Sequence, residues 1–274
     1  MISAKVMEDS ISPAGDRLTT MQVECHRFVL AEFNTHRVFS RNSASSRAIP
    51  VEKQLERVRY DPAYPIEWPC EQSGMQGGAL LEGMDLAAAK YLWDTTRIRT
   101  LDAVDTYLKE HPDKSERLHK SLLNRLLEPY FWHTICVTAT EWDGWNLQRC
   151  SPLAQPEIRV LAEKMREAME ASTPQELTPG QYHLPYVTEE DLDECDERDI
   201  DPRAISAARC ARTSYLTQEG TRDLAKDVEL FDRLSTASPP HASPLEHVAT
   251  PANPGTIPPG NFRGWHQLRH EFFS

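Results

Sequence analysis

The chain is organised around the stretch Thr35-His36-Arg37-Val38-Phe39-Ser40-Arg41-Asn42-Ser43-Ala44-Ser45-Ser46-Arg47. It holds three arginines, four serines, a histidine and an asparagine, and few of its residues are apolar. Small hydroxyl residues let backbone N–H groups approach phosphate oxygens, and the guanidinium fork of arginine matches a phosphate through two hydrogen bonds. The stretch therefore indicates an anion-binding segment, and the plainer alternative is a solvated, hydroxyl-rich loop.

The composition is that of a globular, enzyme-sized protein. The chain has 274 residues, of which 39% are hydrophobic, and this is enough for one large domain or two small ones. The formal net charge of −12 disfavours nucleic acid as a partner, because a duplex would be repelled outside a local basic patch.

The cysteines and the apolar segments bear on metal sites and location. The six cysteines contain no Cys-x-x-Cys pair, so neither a zinc site nor a disulfide framework is indicated. The first residues lack the apolar run of a signal peptide, and no segment approaches the roughly 18 apolar residues of a membrane span. We expect a cytoplasmic protein without a membrane partner or a metal.

Strands are predicted on both sides of the anion-binding stretch. Residues 2–7 and 18–25 alternate apolar and polar side chains, which indicates two paired strands. A helix over 27–33 would place the anion-binding stretch after a helix C-terminus. The β-branched and aromatic residues of 131–140 favour another strand.

Helices are predicted at 51–59, 80–101, 103–108, 115–129, 155–171 and 221–235. In 115–129, five leucines mark the side that we expect to be buried: Leu118, Leu122, Leu123, Leu126 and Leu127. Residues 204–215 are predicted to run from a helix into a turn, and the prolines of 250–259 indicate a loop.

The segment 173–201 is predicted to be a surface connection. It carries three prolines and a run of acids between Glu189 and Asp199, which we interpret as a solvated face. The chain is then a single domain of two modules, 1–172 and 202–274.

Two blocks of residues carry a family resemblance. In the first, His36-Arg37, seven residues and Ser45 match an Arg-His-Arg-x7-Ser motif in which Thr35 replaces the first arginine. The second block contains Asn124-Arg125, Pro129, Phe131-Trp132, Asn146-Leu147, Arg149, Ala154-Gln155 and Glu157-Ile158. With these blocks, the chain resembles the flavin-dependent thymidylate synthases.

A third block is displaced along the chain. The family's Ala-Arg-x-Ser-Tyr and His-x-Ser-Pro-x-Glu-His segments usually precede the arginine-rich motif. Here they are Ala211-Arg212-Thr213-Ser214-Tyr215 and His241-Ala242-Ser243-Pro244-Leu245-Glu246-His247, near the C-terminus. The resemblance therefore implies a circularly permuted order, of a phage or actinobacterial type, and permutation is physically reasonable because termini are commonly close together.

The resemblance implies an α/β (α+β) fold with a mixed, mainly antiparallel sheet flanked by long helices. It implies a methyltransferase that converts dUMP to dTMP, with FAD as cofactor and methylenetetrahydrofolate and NADPH as co-substrates. The family forms homotetramers whose sites are shared between chains. If the chain is encoded by a phage, its location would be the host cytoplasm.

The resemblance also assigns roles to residues. The catalytic residues implied are Arg149, His241 and Ser45. The flavin-binding residues implied are His36, Arg37, Ser214, Ser243 and Glu246. The nucleotide-binding residues implied are Ala44, Ser45, Ser46, Arg47, Arg125 and Arg149, with backbone N–H groups of Ala44 and Ser46 facing the phosphate.

Several positions depart from the family pattern. Thr35 stands in place of an arginine that contacts flavin, Glu32 in place of a glutamine near the phosphate, and Ser43 at a position that is often glutamate. Thr138, Thr140 and Gly144 occupy positions where asparagine or arginine commonly meets the flavin. Our hypothesis is that Arg263, Gln267 and Arg269 fill part of this gap, with the i, i+4 spacing of the first two placing them on one helical face.

Two alternatives keep part of this interpretation. A dUMP hydroxymethylase would use the same site but would quench the transferred methylene with water, giving a modified phage nucleotide. A non-catalytic nucleotide-binding homologue would keep the phosphate loop alone. The joint presence of His241, Glu246 and Arg149 argues against the second, because phosphate binding needs none of them.

Overall fold

The computed structural model describes residues 1–213 and 222–272, and a five-stranded sheet lies at its centre. Its strands are β1 (Ser3–Ile11), β2 (Arg17–His26), β3 (Ser40–Ser43), β4 (Trp132–Ala139) and β5 (Gln175–Glu176), in the spatial order β3-β4-β2-β1-β5. β5 runs parallel to β1, and the other three pairings are antiparallel. A small antiparallel pair, β6 (Ala249–Pro251) with β7 (Trp265–Gln267), lies apart from this sheet.

Helices flank the sheet. In the described ranges they are α1 (Leu30–Phe33), α2 (Val51–Tyr60), α3 (Gly83–Glu110), α4 (Lys120–Leu127), α5 (Asp143–Arg149), α6 (Pro156–Glu170), α7 (Glu189–Arg198), α8 (Pro202–Arg212), α9 (Leu224–Ser235) and α10 (Arg269–Phe272). The fold is thus mixed α/β with a mainly antiparallel sheet, as expected. The two N-terminal strands and the strand at 131–140 are confirmed, and the helix at 27–33 begins as a 3-10 turn.

The pleat gives the sheet one apolar and one polar face. Met21 pairs with Val137, and both are buried in the apolar cluster that includes residues of α6. One position along, Thr20 pairs with Thr138 and faces the opposite side, because side chains alternate along a strand. That polar side is covered by His247 and its neighbours, so the two ends of the chain meet across it.

α3 is one long helix rather than the two predicted at 80–101 and 103–108. It spans 28 residues, of which only Leu101 and Val104 are buried. Met84, Tyr91 and Leu92 expose 85%, 74% and 69% of their surface. The N-terminal two thirds of this helix therefore lies against little of its own chain.

α4 is shorter than the predicted helix at 115–129, and its burial differs from our expectation. Leu123 and Leu127 are buried, whereas Leu118, Leu122 and Leu126 are 48%, 53% and 55% exposed. The reason is geometric: α4 packs on α2 and α3 through one i, i+4 stripe, and the other leucines lie beside that stripe.

The prediction of a plain surface connection over 173–201 is wrong, because this segment contains β5 and α7. Thr188 and Asp191 form a capping box that starts α7. Asp191 is only 1% exposed and pairs with Arg209 of α8 at 2.6 Å. Most of the neighbouring acids are exposed, as expected, but the acidic run also contributes this buried ion pair.

The segment after residue 250 has less helix than predicted. The loop is confirmed from residue 252 onward, and β6 takes the first two positions. The prediction that Arg263 and Gln267 share a helical face is wrong, because Gln267 lies in β7 and Arg263 in the turn before it. The predicted flavin contact Ser214 lies outside the described residues, as do Tyr215 and Thr221, and the predicted last helix is observed as α9.

Candidate functional site

Arg149 and His36 form the first cluster of predicted site residues. His36 follows α1, and Arg149 is the last residue of α5. Nε of Arg149 donates a hydrogen bond of 2.9 Å to Nε2 of His36. The imidazole also packs edge-on against Trp145, with 4.8 Å between ring centroids, so both polar and aromatic contacts hold its orientation.

This environment keeps His36 neutral. Burial, the Arg149 guanidinium and then Arg41 lower the pKa of His36 to about 4. The imidazole is therefore an acceptor at neutral pH, and because Nε2 receives the Arg149 hydrogen bond, the ring proton belongs on Nδ1. His36 can thus hold Arg149 without adding charge to the site.

Thr35 belongs to the same cluster, and its contacts account for the departure from the family motif. Its hydroxyl donates to the carbonyl of Glu32 at 2.6 Å and accepts from Nη2 of Arg149 at 3.0 Å. Arg149 also donates to the Glu32 carbonyl at 3.3 Å. An arginine at position 35 would place a second cation against Arg149, whereas threonine supplies an acceptor.

Glu32 completes this cluster with an unpaired atom. Its carboxylate oxygen Oε2 is buried and has no hydrogen-bond partner within the described residues. Arg149 reaches the backbone carbonyl of Glu32 instead of this carboxylate. A ligand that donates an N–H or O–H here would satisfy the oxygen.

The predicted phosphate loop forms a tight turn after β3. The backbone N–H groups of Ala48 and Ile49 donate to the carbonyl of Ser45, and the N–H of Arg47 donates to the Ser45 hydroxyl at 3.2 Å. Asn124, which is fully buried, donates to the carbonyls of Ser46 and Ile49 at 2.9 and 3.0 Å. Our motif comparison included Asn124 but missed this role in holding the turn.

One predicted phosphate donor is excluded by these contacts. The backbone N–H of Ala44 donates to the carbonyl of Thr134 at 2.9 Å, because the pairing of β3 with β4 continues by one residue. It therefore points into the sheet and not toward a ligand. Arg47 is exposed beside the turn, and the Arg125 side chain is 59% exposed and lies 3.6 Å from Glu128.

The predicted flavin-side residue Glu246 lies in a third cluster. It ends the 3-10 turn Ser243–Glu246 and accepts a hydrogen bond of 2.8 Å from the Ser40 hydroxyl. Arg269 forms an ion pair with its other carboxylate oxygen. Gln267 donates to the Ser40 hydroxyl at 3.3 Å and to the backbone carbonyl of Glu246 at 3.1 Å.

The remaining residues singled out in the sequence join none of these clusters. Arg37, His241 and Ser243 are exposed, and Thr138 and Thr140 bond within the protein. In the described ranges, no hydrogen bond or ion pair joins Arg149 to the Ser45–Arg47 turn. The structure thus brings His36 to Arg149 and Ser40 to Glu246, but it leaves the predicted phosphate loop apart from Arg149.

A series of buried, hydrogen-bonded side chains on the polar face of the sheet was not predicted from the sequence. His183 lies 2.8 Å from the hydroxyls of both Ser10 and Thr20, and Thr20 continues the chain to Thr138 and His247 at 2.6 and 2.7 Å. Burial, followed by the charge of His247, lowers the pKa of His183 to about 3. The sequence pattern could have indicated only the threonines of β2 and β4, because the two histidines come from loops far away along the chain.

A cleft adjoins the Ser40 cluster. It has a volume of about 800 Å³ and is lined by residues that include Val38, Asn261 and Arg263. Asn261 donates to the carbonyl of Val38 at 2.8 Å and contacts Ser40 at 3.1 Å. Cofactor sites commonly have volumes of about 300–1,000 Å³.

The described ranges hold neither a candidate metal cluster nor a membrane-spanning helix. No group of three or more His, Cys, Asp and Glu residues there could hold a metal ion. No helix in those ranges is long and apolar enough to cross a membrane.

Comparison with known proteins gives matches to solved structures at low identity. No protein-family model matches the chain, and no curated protein matches it. A crystal structure of thymidylate synthase X (ThyX) from Helicobacter pylori with FAD and dUMP is 16% identical, with a TM-score of 0.38, and the match covers 56% of this chain and 67% of that one. The UMP/dUMP methylase PolB from Streptomyces cacaoi, bound to 5-Br UMP, is 16% identical, with a TM-score of 0.43 and coverage of 62% and 88%. Both TM-scores are below 0.5, so neither overlap establishes a shared fold.

Proposed function

We propose that this chain is a flavin-dependent enzyme that methylates dUMP reductively to dTMP, with methylenetetrahydrofolate and NADPH as co-substrates. The contact between His36 and Arg149 carries the proposal. These residues come from two separate motif blocks, 113 positions apart, and the fold joins them by a direct hydrogen bond. A chance resemblance would not require the two blocks to meet.

Arg149 is the residue that would act on the pyrimidine. Its hydrogen bonds within the described residues use Nε and Nη2, so Nη1 can donate to a ligand. A guanidinium aimed at a pyrimidine carbonyl stabilises the negative charge that develops as C5 becomes nucleophilic. His36 and Thr35 would fix the guanidinium before substrate binds, and this preorganisation is the larger part of such stabilisation.

The nucleotide phosphate would bind at the Ser45–Arg47 turn. The Ser45 and Ser46 hydroxyls and the exposed Arg47 and Arg125 supply donors for it. Each charge-assisted contact to a phosphate contributes about 1.5–3 kcal/mol. Asn124 would keep the turn in shape, so its contribution is to position the loop.

The residues of the Ser40 cluster fit a flavin. Glu246 and Ser243 would supply an acceptor and a hydroxyl, and the 800 Å³ cleft is lined by Val38, which follows His36 and Arg37, and by Asn261, which contacts Ser40. Buried atoms that lack partners, Oε1 of Gln267 and Oε2 of Glu32, are of the kind that a bound ligand satisfies. A reduced flavin would supply the hydride for the transferred carbon, and this chain's residues would bind and orient it. His241, being exposed, would meet the folate from the open side.

We also propose a homotetramer with shared sites. Two observations support it: the phosphate turn is not linked to Arg149 within one chain, and α3 and α4 expose apolar residues such as Tyr91, Leu122 and Leu126. A second copy that covers these helices would bring its own arginines or serines to the site. Exposed apolar surface of this extent is typical of protein interfaces.

The product of the reaction tests the proposal. The purified protein is incubated with FAD, dUMP, methylenetetrahydrofolate and NADPH, and the nucleotide is analysed by mass spectrometry. A gain of one methyl group is the expected result, and Arg149→Gln is the matched variant that should abolish it. A hydroxymethyl product would identify the hydroxymethylase instead. A protein with no flavin spectrum and no product would be a nucleotide-binding homologue, and the proposal would be wrong.

A further inference from the structure

The segment from Gly260 to Arg269 contacts the Ser40 cluster at several points. Arg269 forms an ion pair with the Glu246 carboxylate, and Gln267 donates to both the Glu246 carbonyl and the Ser40 hydroxyl. Asn261 adds a hydrogen bond to the Val38 carbonyl. Besides their bond to each other, Ser40 and Glu246 are thus contacted by Asn261, Gln267 and Arg269, from a segment that follows the His-x-Ser-Pro-x-Glu-His motif along the chain.

These contacts fix the carboxylate of Glu246 completely. One oxygen is held by Ser40 and the other by Arg269, while Gln267 fixes its backbone. Gln267 itself is 1% exposed, so its position is determined by packing. Glu246 is therefore held from two sides, and removing Arg269 would leave a largely buried carboxylate without its ion-pair partner.

Gly260 shows how closely the segment is fitted to this cluster. Its φ is +104°, and a Cβ at this position would lie 2.5 Å from Oε1 of Gln267 and 3.0 Å from Nε2 of His270. Any side chain here would push Gln267 away from Ser40. The close approach of the Gly260 backbone is thus part of what positions Gln267.

Two polar atoms of the segment are buried without partners. In the described part of the chain, Oε1 of Gln267 and Nε of Arg269 make no hydrogen bond. An unpaired buried polar atom lowers stability, so anchoring the segment does not by itself explain this arrangement. Sites that position a functional group often carry such a cost.

We propose that Arg269 and Gln267 are positioning residues that hold Glu246 and Ser40 in the orientation that binds the flavin. This inference rests on the proposed function, because it takes the flavin as the ligand of Glu246. It differs from the helical-face hypothesis, since neither residue needs to touch the flavin. Arg263 is not one of these positioning residues, because it pairs with Asp16 and Glu141 instead.

Flavin affinity tests the inference without any assay of activity. FAD binding is measured by quenching of flavin fluorescence for the wild type, Arg269→Gln and Arg269→Lys, with dUMP affinity measured in parallel. We expect Arg269→Gln to weaken FAD binding by about tenfold or more, since one charge-assisted contact is lost, and Arg269→Lys to recover part of it. The affinity for dUMP should change little.

Two matched controls separate positioning from general folding. Arg203 pairs with Glu271 at 3.0 Å, so Arg203→Gln removes an ion pair to α10 without touching Glu246. Gly74 also has a positive φ, a Cβ there would meet no atom within 4 Å, and it does not line the cleft, so Gly74→Ala is the control for Gly260→Ala. Of these four variants, only Arg269→Gln and Gly260→Ala should weaken FAD binding.

The outcomes are distinguishable. If the wild type binds FAD and Arg269→Gln binds it equally well, the inference is wrong and the proposed function stands. If Arg203→Gln weakens FAD binding as much as Arg269→Gln, docking of α10 is the cause and the inference is also wrong. A wild-type protein that binds no FAD overturns the inference together with the proposed function.

Discussion

Arg149 donates from Nε to Nε2 of His36 over 2.9 Å, and this bond joins the end of α5 to the turn after α1. It fixes the tautomer of His36 and the direction of the guanidinium at once. Thr35 accepts from the same guanidinium, so the contact also accounts for the residue at which the chain departs from the Arg-His-Arg pattern.

Arg149→Gln should raise the pKa of His36. Burial is the largest cause of its depression to about 4, and the Arg149 charge is the second, so removing that charge moves the pKa part of the way back toward 6.5. The pH titration of the His36 ring signals by NMR measures this. Arg159→Gln, which breaks an ion pair with Glu67, is the control. An unchanged His36 titration in Arg149→Gln would contradict the proposed contact.

Thr35→Arg should reduce activity although it restores the family motif. The new guanidinium would face Arg149, and the hydroxyl that accepts from Arg149 would be lost. We expect a fall in kcat/KM of about tenfold or more, equivalent to about 1.4 kcal/mol of lost transition-state stabilisation. Thr35→Ser keeps the hydroxyl and should retain most of the activity. Higher activity in Thr35→Arg would contradict this prediction, because it would show that the enzyme works better with an arginine at position 35.

Asn124→Ala should weaken nucleotide binding while flavin binding is retained. The substitution leaves the carbonyls of Ser46 and Ile49 without their donor, at a cost of about 1–3 kcal/mol. Calorimetric titration with dUMP measures the change in Kd. Lys120→Met removes a single, partly exposed hydrogen bond to Ala48 of the same turn and should have a smaller effect. Equal dUMP affinity in Asn124→Ala and the wild type would show that the turn does not bind the phosphate.

The positions of β1, β2 and β4 could be predicted from the sequence, but the other strands, the strand order and much of the site could not. The alternation of apolar and polar side chains in β1 and β2 is a property of residues adjacent in the sequence, so the sequence pattern predicts these strands directly. The bonds from Asn124 to the phosphate turn and from Arg269 to Glu246 depend on tertiary packing, and each residue alone looks like an ordinary helix or surface position. The exposure of Leu122 and Leu126 was missed for a related reason, because a helical leucine stripe does not reveal whether its partner lies in the same chain.

His133 should make the protein less stable in acid. It is 1% exposed, and neither ring nitrogen has a hydrogen-bond partner within the described residues. Burial, followed by the charges of Arg27 and Arg57, lowers its pKa to about 3. The unfolded state therefore binds the proton first, and stability is lost as the pH falls from about 6.5 toward 3.

The size of this effect can be measured with one variant. Between pH 7 and pH 5, His133 alone should lower the free energy of unfolding by about 2 kcal/mol. Urea denaturation of His133→Phe at both pH values should show a correspondingly flatter dependence than the wild type. A slope in His133→Phe equal to that of the wild type would show that His133 titrates normally.

Leu122→Lys with Leu126→Lys should disrupt assembly without unfolding the chain. Both leucines are more than half exposed, so charges there cost little in the isolated fold, whereas a copy packed on α4 would have to bury two ammonium groups. Sedimentation velocity should show a tetramer for the wild type and smaller species for the double variant, with unchanged circular dichroism. Met75→Lys, at a residue 98% exposed outside both helices, should remain tetrameric. Loss of dUMP binding in the double variant, whose Arg149 and Ser45 are intact, would show that the site is shared between chains. A monomeric wild type that binds dUMP would contradict both the tetramer and the shared site.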